Sequence, residues 1–505
     1  MTYNSDMVPK CIPCNQGIII LGVPVGSLEW IRAELSKKLS VIRKLCDIIV
    51  KLNHPQVAFH LLRMCVSSKL TYFLRTVALD AMLPVAIELD SIVLNCAQRC
   101  GFVPDLDSLS DEERSVVGLP LKLGGMGLIS CENIHEAAFV GSLTKALTIL
   151  PSVLSNDLFD VCRSSFAECR DQGFGKIICM IERMRTFYPE EKKWSGCSLH
   201  EIVFAEDKLQ RLFSRLSNRK IYLRVLAGWR TAGKLQAIAH FISAGSPWAS
   251  IPLSTLPTEW GLRMAAVDFI AFLRFHAGLP LDNMTARLSS CGCAQPILDG
   301  YRRHALVCSK LRGSVIGRHD TVRNLVALMM KDAGLAGVFK EQMVFGLDNQ
   351  RRADIISADG FKSGVRYAVD VAFATTTASS YCRLASFKNN RGVAARSYYN
   401  KKMKSAELAS LHDYRLIPFV LETSGFMHPV AKGFIMSCAR AAPYDARAFL
   451  LKWIRRLAIC RAKSIAKLIS VDWRRLLNLN MQNNEGLSIS SLHGSGSLSG
   501  IDTLN

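Results

Sequence analysis

Apolar residues recur at helical spacing through most of the first half of this chain. From Ser27 they fall at Trp30, Leu35, Leu39, Ile42, Leu45 and Ile49, with Glu34 and Lys38 paired on the outer face, which predicts a helix ending near Asn53-His54-Pro55. The pattern repeats through Val57, Leu61, Met64 and Leu70, for a second helix over about Gln56–Val77, and again over about Leu83–Cys100. A glycine-rich stretch from Gly118 to Leu128 interrupts it, and helical periodicity then runs on to about Ala244. A further helix is predicted over Trp260–Gly278.

Beyond residue 310 the period alternates between that of helices and that of strands. The order predicted is a helix (about Gly313–Ala333), a strand (about Val338–Val344), two strands joined by a Gly-centred turn within Arg351–Phe373, a basic helix (about Ala394–Leu411), a strand (Arg415–Glu422) and terminal helices (about His428–Ile469). This αβββαβα order implies a mixed sheet flanked by helices. The fold class is α + α/β: an all-helical region at 27–250, a linker helix and a Cys/His segment at 251–310, an α/β domain at 311–475, and a Ser- and Gly-rich tail at 476–505 expected to lack fixed structure.

The two central strands carry the chemistry. Asp354 opens the first and Asp370 lies inside the apolar run Tyr367–Phe373 of the second, fifteen residues between them. Burying an uncompensated acid costs about 2–7 kcal/mol, so the pair calls for a cation. A divalent ion, Mg²⁺ or Mn²⁺, held by both carboxylates answers that need and suits phosphodiester hydrolysis; a solvated hairpin is the alternative. Such chemistry also uses a lysine, commonly two residues after the second acid, where this chain has Ala372. The candidates are then Lys401 and Lys404, which share one face of the basic helix, while Lys402 is expected to point elsewhere. Asp320 or Glu341 is positioned to add a metal contact, His319 reads equally as a packing or a functional histidine, and Glu422 reads as a structural anchor.

Cys291, Cys293, His304 and Cys308 form C-x-C-x10-H-x3-C, a spacing that closes a tetrahedron around Zn²⁺ or else places three core cysteines beside a surface histidine. Cys11 and Cys14 have CxxC spacing without a second ligand pair. Charge completes the picture: 63 Lys and Arg against 42 Asp and Glu give +21, and residues 381–475 alone hold nineteen basic and five acidic side chains, a balance that predicts attraction to polyanions. The seventeen cysteines are scattered singly, as expected of thiols in a reducing compartment, and no run of membrane-spanning length occurs.

At these residues the chain resembles the C-terminal half of the polyproteins of non-LTR retrotransposons that carry a restriction-like endonuclease. Leu21–Ser27, His54–Val77 and Leu119–Leu128 resemble the region after the polymerase palm, including its helical thumb. Arg274–Leu281, the Cys/His segment, Arg318-His319-Asp320, Arg352–Ile355 with Tyr367–Phe373, the basic helix and Pro418–Phe426 resemble the family's linker, zinc knuckle and nuclease in order. The resemblance implies that residues 1–26 are a remnant of the palm, that 27–250 is a thumb-like region, and that 311–475 is a PD-(D/E)xK nuclease with Asp354 and Asp370 as metal ligands and Lys401 or Lys404 as its lysine. It implies zinc at the knuckle, target DNA and the element's RNA as partners, and a place of action in the nucleus. Ala353 stands where the family usually has proline, and no YxDD or FxDD occurs, so polymerase activity is not expected from this chain alone. A nucleic-acid-binding remnant whose nuclease has decayed is the other expectation.

Overall fold

A computed structural model describes residues 17–153, 182, 209–281, 301–343, 352–361, 365–388 and 391–472. The expectations for the 476–505 tail, for Cys11 and Cys14, and for Cys291 and Cys293 lie outside these residues. The described chain is a mixed assembly of helices with a small mixed sheet.

It enters through a hairpin of β1 (Ile18–Ile20) and β2 (Val23–Val25), whose two turn residues, Leu21 and Gly22, both have positive φ, as the twist of a tight hairpin demands. Helix α1 (Leu28–Val50) is capped by the Ser27 hydroxyl and buries Ile31, Leu35, Leu39, Ile42, Cys46 and Ile49. The second helix predicted from the pattern is shorter: α2 (Pro55–Leu61) gives way to a π-turn over Leu62–Val66. Helix α3 (Leu79–Arg99) contains Pro84, which has no N–H for the Asp80 carbonyl; Arg32 Nη2 donates to that oxygen instead at 3.1 Å. Helix α4 (Cys131–Val153) is capped by Asp90, which accepts from the Cys131 and Glu132 amides at 2.7 and 3.0 Å. Helices α5 (Leu209–Thr231) and α6 (Leu235–Ala244) complete the bundle.

The helix predicted from Trp260 begins at Ala266 (α7, Ala266–Ala277), because Trp260–Leu262 is a separate 3-10 turn. That turn is clamped by the fully buried Gln56, whose Nε2 donates to the Leu262 carbonyl at 3.2 Å while its Oε1 accepts from the Met264 amide at 3.1 Å.

The second half contains α8 (Arg312–Asp332), β3 (Phe339–Met343), β4 (Arg352–Ser357), β5 (Arg366–Ala374), α9 (Ser379–Lys388), α10 (Val393–Met403), α11 (Ala406–Leu411), β6 (Tyr414–Glu422), α12 (Pro429–Ala441) and α13 (Ala446–Lys467). The sheet runs β3-β4-β5-β6, antiparallel except for the parallel β5–β6 pair, which α9, α10 and α11 connect. Helix α9 was not foreseen, and the single basic helix predicted over 394–411 breaks at Lys404-Ser405. Strand β5 is covered on both faces: Val369 and Val371 pack with Val322 and Val326 of α8, and Ala372 and Ala374 with Ala394 and Ala395 of α10. Burial on both sides explains why its sequence is a continuous apolar run in which one carboxylate stands out.

Helix α13 belongs to two cores. Its first half puts Phe449, Trp453 and Leu457 against the sheet domain; its second half puts Ile459, Ala462 and Ile465 into the core of the helical region. Among the described residues, no helix is long and apolar enough to cross a membrane.

Candidate active site

The β4–β5 register pairs Ile356 with Ala368 and Ile355 with Val369, so the next step sets Asp354 opposite Asp370. Like charges in directly opposed positions repel across a strand pair, and burial worsens the repulsion. Both side chains line the same cleft. Two devices make the arrangement tolerable, one on each acid.

Asp354 is held from the α8 side. Its Oδ2 accepts from the Val371 amide at 2.7 Å and lies 3.1 Å from His319 Nε2, which is also 3.0 Å from the Val371 carbonyl. The other imidazole nitrogen, Nδ1, is 3.2 Å from Asp320 Oδ1. Oxygens at both nitrogens favour the doubly protonated ring: the hydrogen bond to Asp354, opposed by burial, raises the His319 pKa above its ordinary value. Burial alone would push Asp354 up, but the His319 imidazole and the Val371 amide bring it below the usual carboxylate range.

Asp370 is held from the α10 side, by Lys402. Its ammonium stands 2.8 and 3.0 Å from the two oxygens of Asp370. Burial pushes Asp370 up to about 6; Lys402 opposes the rise and the Asp354 charge adds to it. Neither lysine favoured from the sequence is placed this way. Lys401 reaches out over the Tyr398 ring and Lys404 is the exposed C-cap of α10, so the expectation that Lys402 points elsewhere is corrected. The signal was present: Ala394, Tyr398 and Lys402 are spaced i, i+4, i+8, and Ala394 faces the sheet.

Helix α10 is aimed by its N-terminus. Gly392 (φ 75°) turns the chain into the helix, and Glu422, at the end of β6, accepts from the Ala395 amide at 2.9 Å. The other Glu422 oxygen accepts from the Ser243 hydroxyl of α6 at 2.6 Å. Burial pushes Glu422 up to about 7. Its expected role as an anchor therefore matches what it touches.

Asp320 and Glu341, each offered as an extra metal contact, are both engaged by Arg323 and do not line the cleft. The cleft itself, about 230 Å³, opens over the acid pair between α8 and α10, with Arg318, Phe373 and Tyr398 among its walls. Arg318, only 5 % exposed, stacks its guanidinium on the Phe373 ring at 4.6 Å and leaves Nε and Nη1 without hydrogen-bond partners. Desolvation lowers its pKa to about 10. A buried guanidinium at the wall of a cleft, short of acceptors, is a ready site for an anion.

The donors for a cation are the two carboxylates and the nearby Val371 carbonyl, all hard oxygens. Among the described residues no group of three or more His, Cys, Asp and Glu side chains gathers to hold a metal. A cation here would take its remaining ligands from water or substrate, the coordination habit of Mg²⁺. Of the Cys/His segment, His304 lies in a 3-10 turn (Arg303–Leu306) and Cys308 is buried at the start of the next (Ser309–Leu311). The arginines beside them are structural: Arg302 Nη1 donates to the Ile469 carbonyl at 2.7 Å, and Arg303 stacks on Tyr301. No protein-family model and no curated protein matches this chain.

Proposed function

We propose that this chain is a metal-dependent DNA endonuclease, part of a non-LTR retrotransposon reverse transcriptase protein, with residues 311–475 acting as a PD-(D/E)xK-type nuclease. One observation carries the reading: Lys402 from α10 meets Asp370 at the point where Asp370 opposes Asp354, in a cleft walled by an unsatisfied arginine. Ala372, where the family usually has its lysine, lines the same cleft, so Lys402 supplies an ammonium from a different element to the same place. A lysine retained by a second route favours a working site over a decayed one.

The roles follow from the contacts. Asp354 and Asp370 would hold a divalent ion, whose chemistry when bound would be to polarise the scissile phosphate and acidify water. His319 fixes the Asp354 carboxylate. The Lys402 ammonium, which stands beside Asp370 in the cleft, would orient the attacking water or neutralise charge developing on the phosphate. Arg318 places a positive charge in the wall of the cleft, where it would attract a phosphate. A zinc ion at Cys291, Cys293, His304 and Cys308, target DNA and the element's RNA as partners, and action in the nucleus belong to the same proposal.

The test is nicking of supercoiled plasmid with Mg²⁺. Wild type relaxes the plasmid, Asp370→Ala or EDTA abolishes relaxation, and Lys402→Ala slows it by about 100-fold or more, whereas Lys401→Ala and Lys404→Ala stay within about threefold. Intact plasmid in every lane, with DNA binding retained in a gel shift, replaces this reading with that of a decayed binding remnant.

A further inference from the structure

We infer that the surface around Trp260 is a stacking platform for single-stranded nucleic acid, separate from the nuclease cleft. Trp260 is 84 % exposed, whereas the other described tryptophans are buried or half-buried. Leaving so large an apolar ring in water forgoes about 2–3 kcal/mol of burial. The backbone that carries it is nonetheless firmly held. Its 3-10 turn is fixed by backbone bonds from Leu262 to Glu259 (2.9 Å) and from Arg263 to Trp260 (3.2 Å), and by the buried Gln56 that grips Leu262 and Met264. Leu262 and Met264 are themselves buried, so the turn is anchored on both sides of an arginine that stays in solvent. Polar bonds and buried neighbours thus present the aromatic face rather than hide it.

The surroundings select a polyanion. Arg263 lies 5.8 Å from the indole centroid, and Arg456 of α13 reaches Glu259, the residue before Trp260, at 3.4 Å. Further along α13, which packs on α7, stand Lys463 and Lys467. Arg263 and Arg456 against Glu259 leave the surroundings of the ring positive. An exposed indole inside a basic surface matches the way proteins hold single strands: the backbone follows the charge and an unpaired base stacks on the ring. A duplex keeps its bases stacked on one another and gains nothing from the indole.

The experiment is fluorescence anisotropy in EDTA, so cleavage plays no part and failure here leaves the nuclease reading untouched. The probes are a fluorescein-labelled 20-mer of deoxythymidine and a blunt hairpin duplex of equal phosphate number. Trp260→Ala weakens the single strand by about 5- to 100-fold and the duplex by less than about twofold, while Trp260→Phe keeps single-strand affinity within about threefold. Arg456→Gln with Lys463→Gln weakens the single strand and lowers its salt slope by about one to two. The Trp260→Ala melting temperature stays at the wild-type value, since the side chain buries little. Unchanged single-strand affinity in Trp260→Ala, or equal losses on both probes, overturns the platform.

Discussion

Glu422 shows at the scale of one residue how the fold spends stability on geometry. The carboxyl is fully buried and accepts from a hydroxyl of α6 and a helix-terminal amide of α10. Its folded pKa, about 7, lies above the ordinary 4.5, so its contribution to stability is complete below about pH 4.5 and is lost as the pH rises through about 7. The loss is about 3 kcal/mol at 1.36 kcal/mol per unit. Urea titrations at pH 5 and pH 8 should therefore show wild type weaker at the higher pH, with the difference reduced in Glu422→Gln. Lys402 marks the limit of single-residue reading from sequence. The acids were legible because strand alternation and an apolar background isolate them; the lysine was not, because choosing among Lys401, Lys402 and Lys404 requires knowing which side of α10 meets the sheet. Arg318 and His319 were legible only as a motif, since what they touch comes from β4 and β5, far away in sequence.

Between elements, two glycines decide how close the parts come. Gly425 has φ 119°, and a Cβ there would stand 2.4 Å from the Ala249 Cβ, so Gly425→Ala should destabilise the chain by about 2–4 kcal/mol, read as a drop in melting temperature. Gly392 has φ 75° and sits against the Phe426 ring, with a built Cβ only 2.3 Å away. Gly392→Ala displaces the start of α10, and the expected signature is a larger loss of nicking than of stability, because Lys402 lies three turns further along. The long amphipathic α1 and the apolar β5 were readable, since period and burial coincide in them. The second predicted helix was not: its apolar spacing continues through a π-turn that local pattern does not register. The basic helix broke for a related reason, because Lys404-Ser405 carries no glycine or proline to mark the break.

Across the whole molecule, charge and cooperativity lead to different expectations. With +21 overall, and nineteen basic against five acidic residues in 381–475, nucleic-acid affinity should fall steeply between 50 and 200 mM salt; a flat response would count against a phosphate track. The division expected at residue 311 is bridged by α13, which packs into both cores. That shared packing predicts that the two sides fold together. A protein made from residues 311–475 alone would keep α13 but strip Ile459, Ala462, Ile465 and Ala466 of the helical core they pack against. Such a fragment should self-associate in solution, and the intact chain should melt in one calorimetric transition, with Ile465→Asp lowering the melting of both halves together. A helix shared in this way means that the two halves can be lost, inherited or engineered only as a pair.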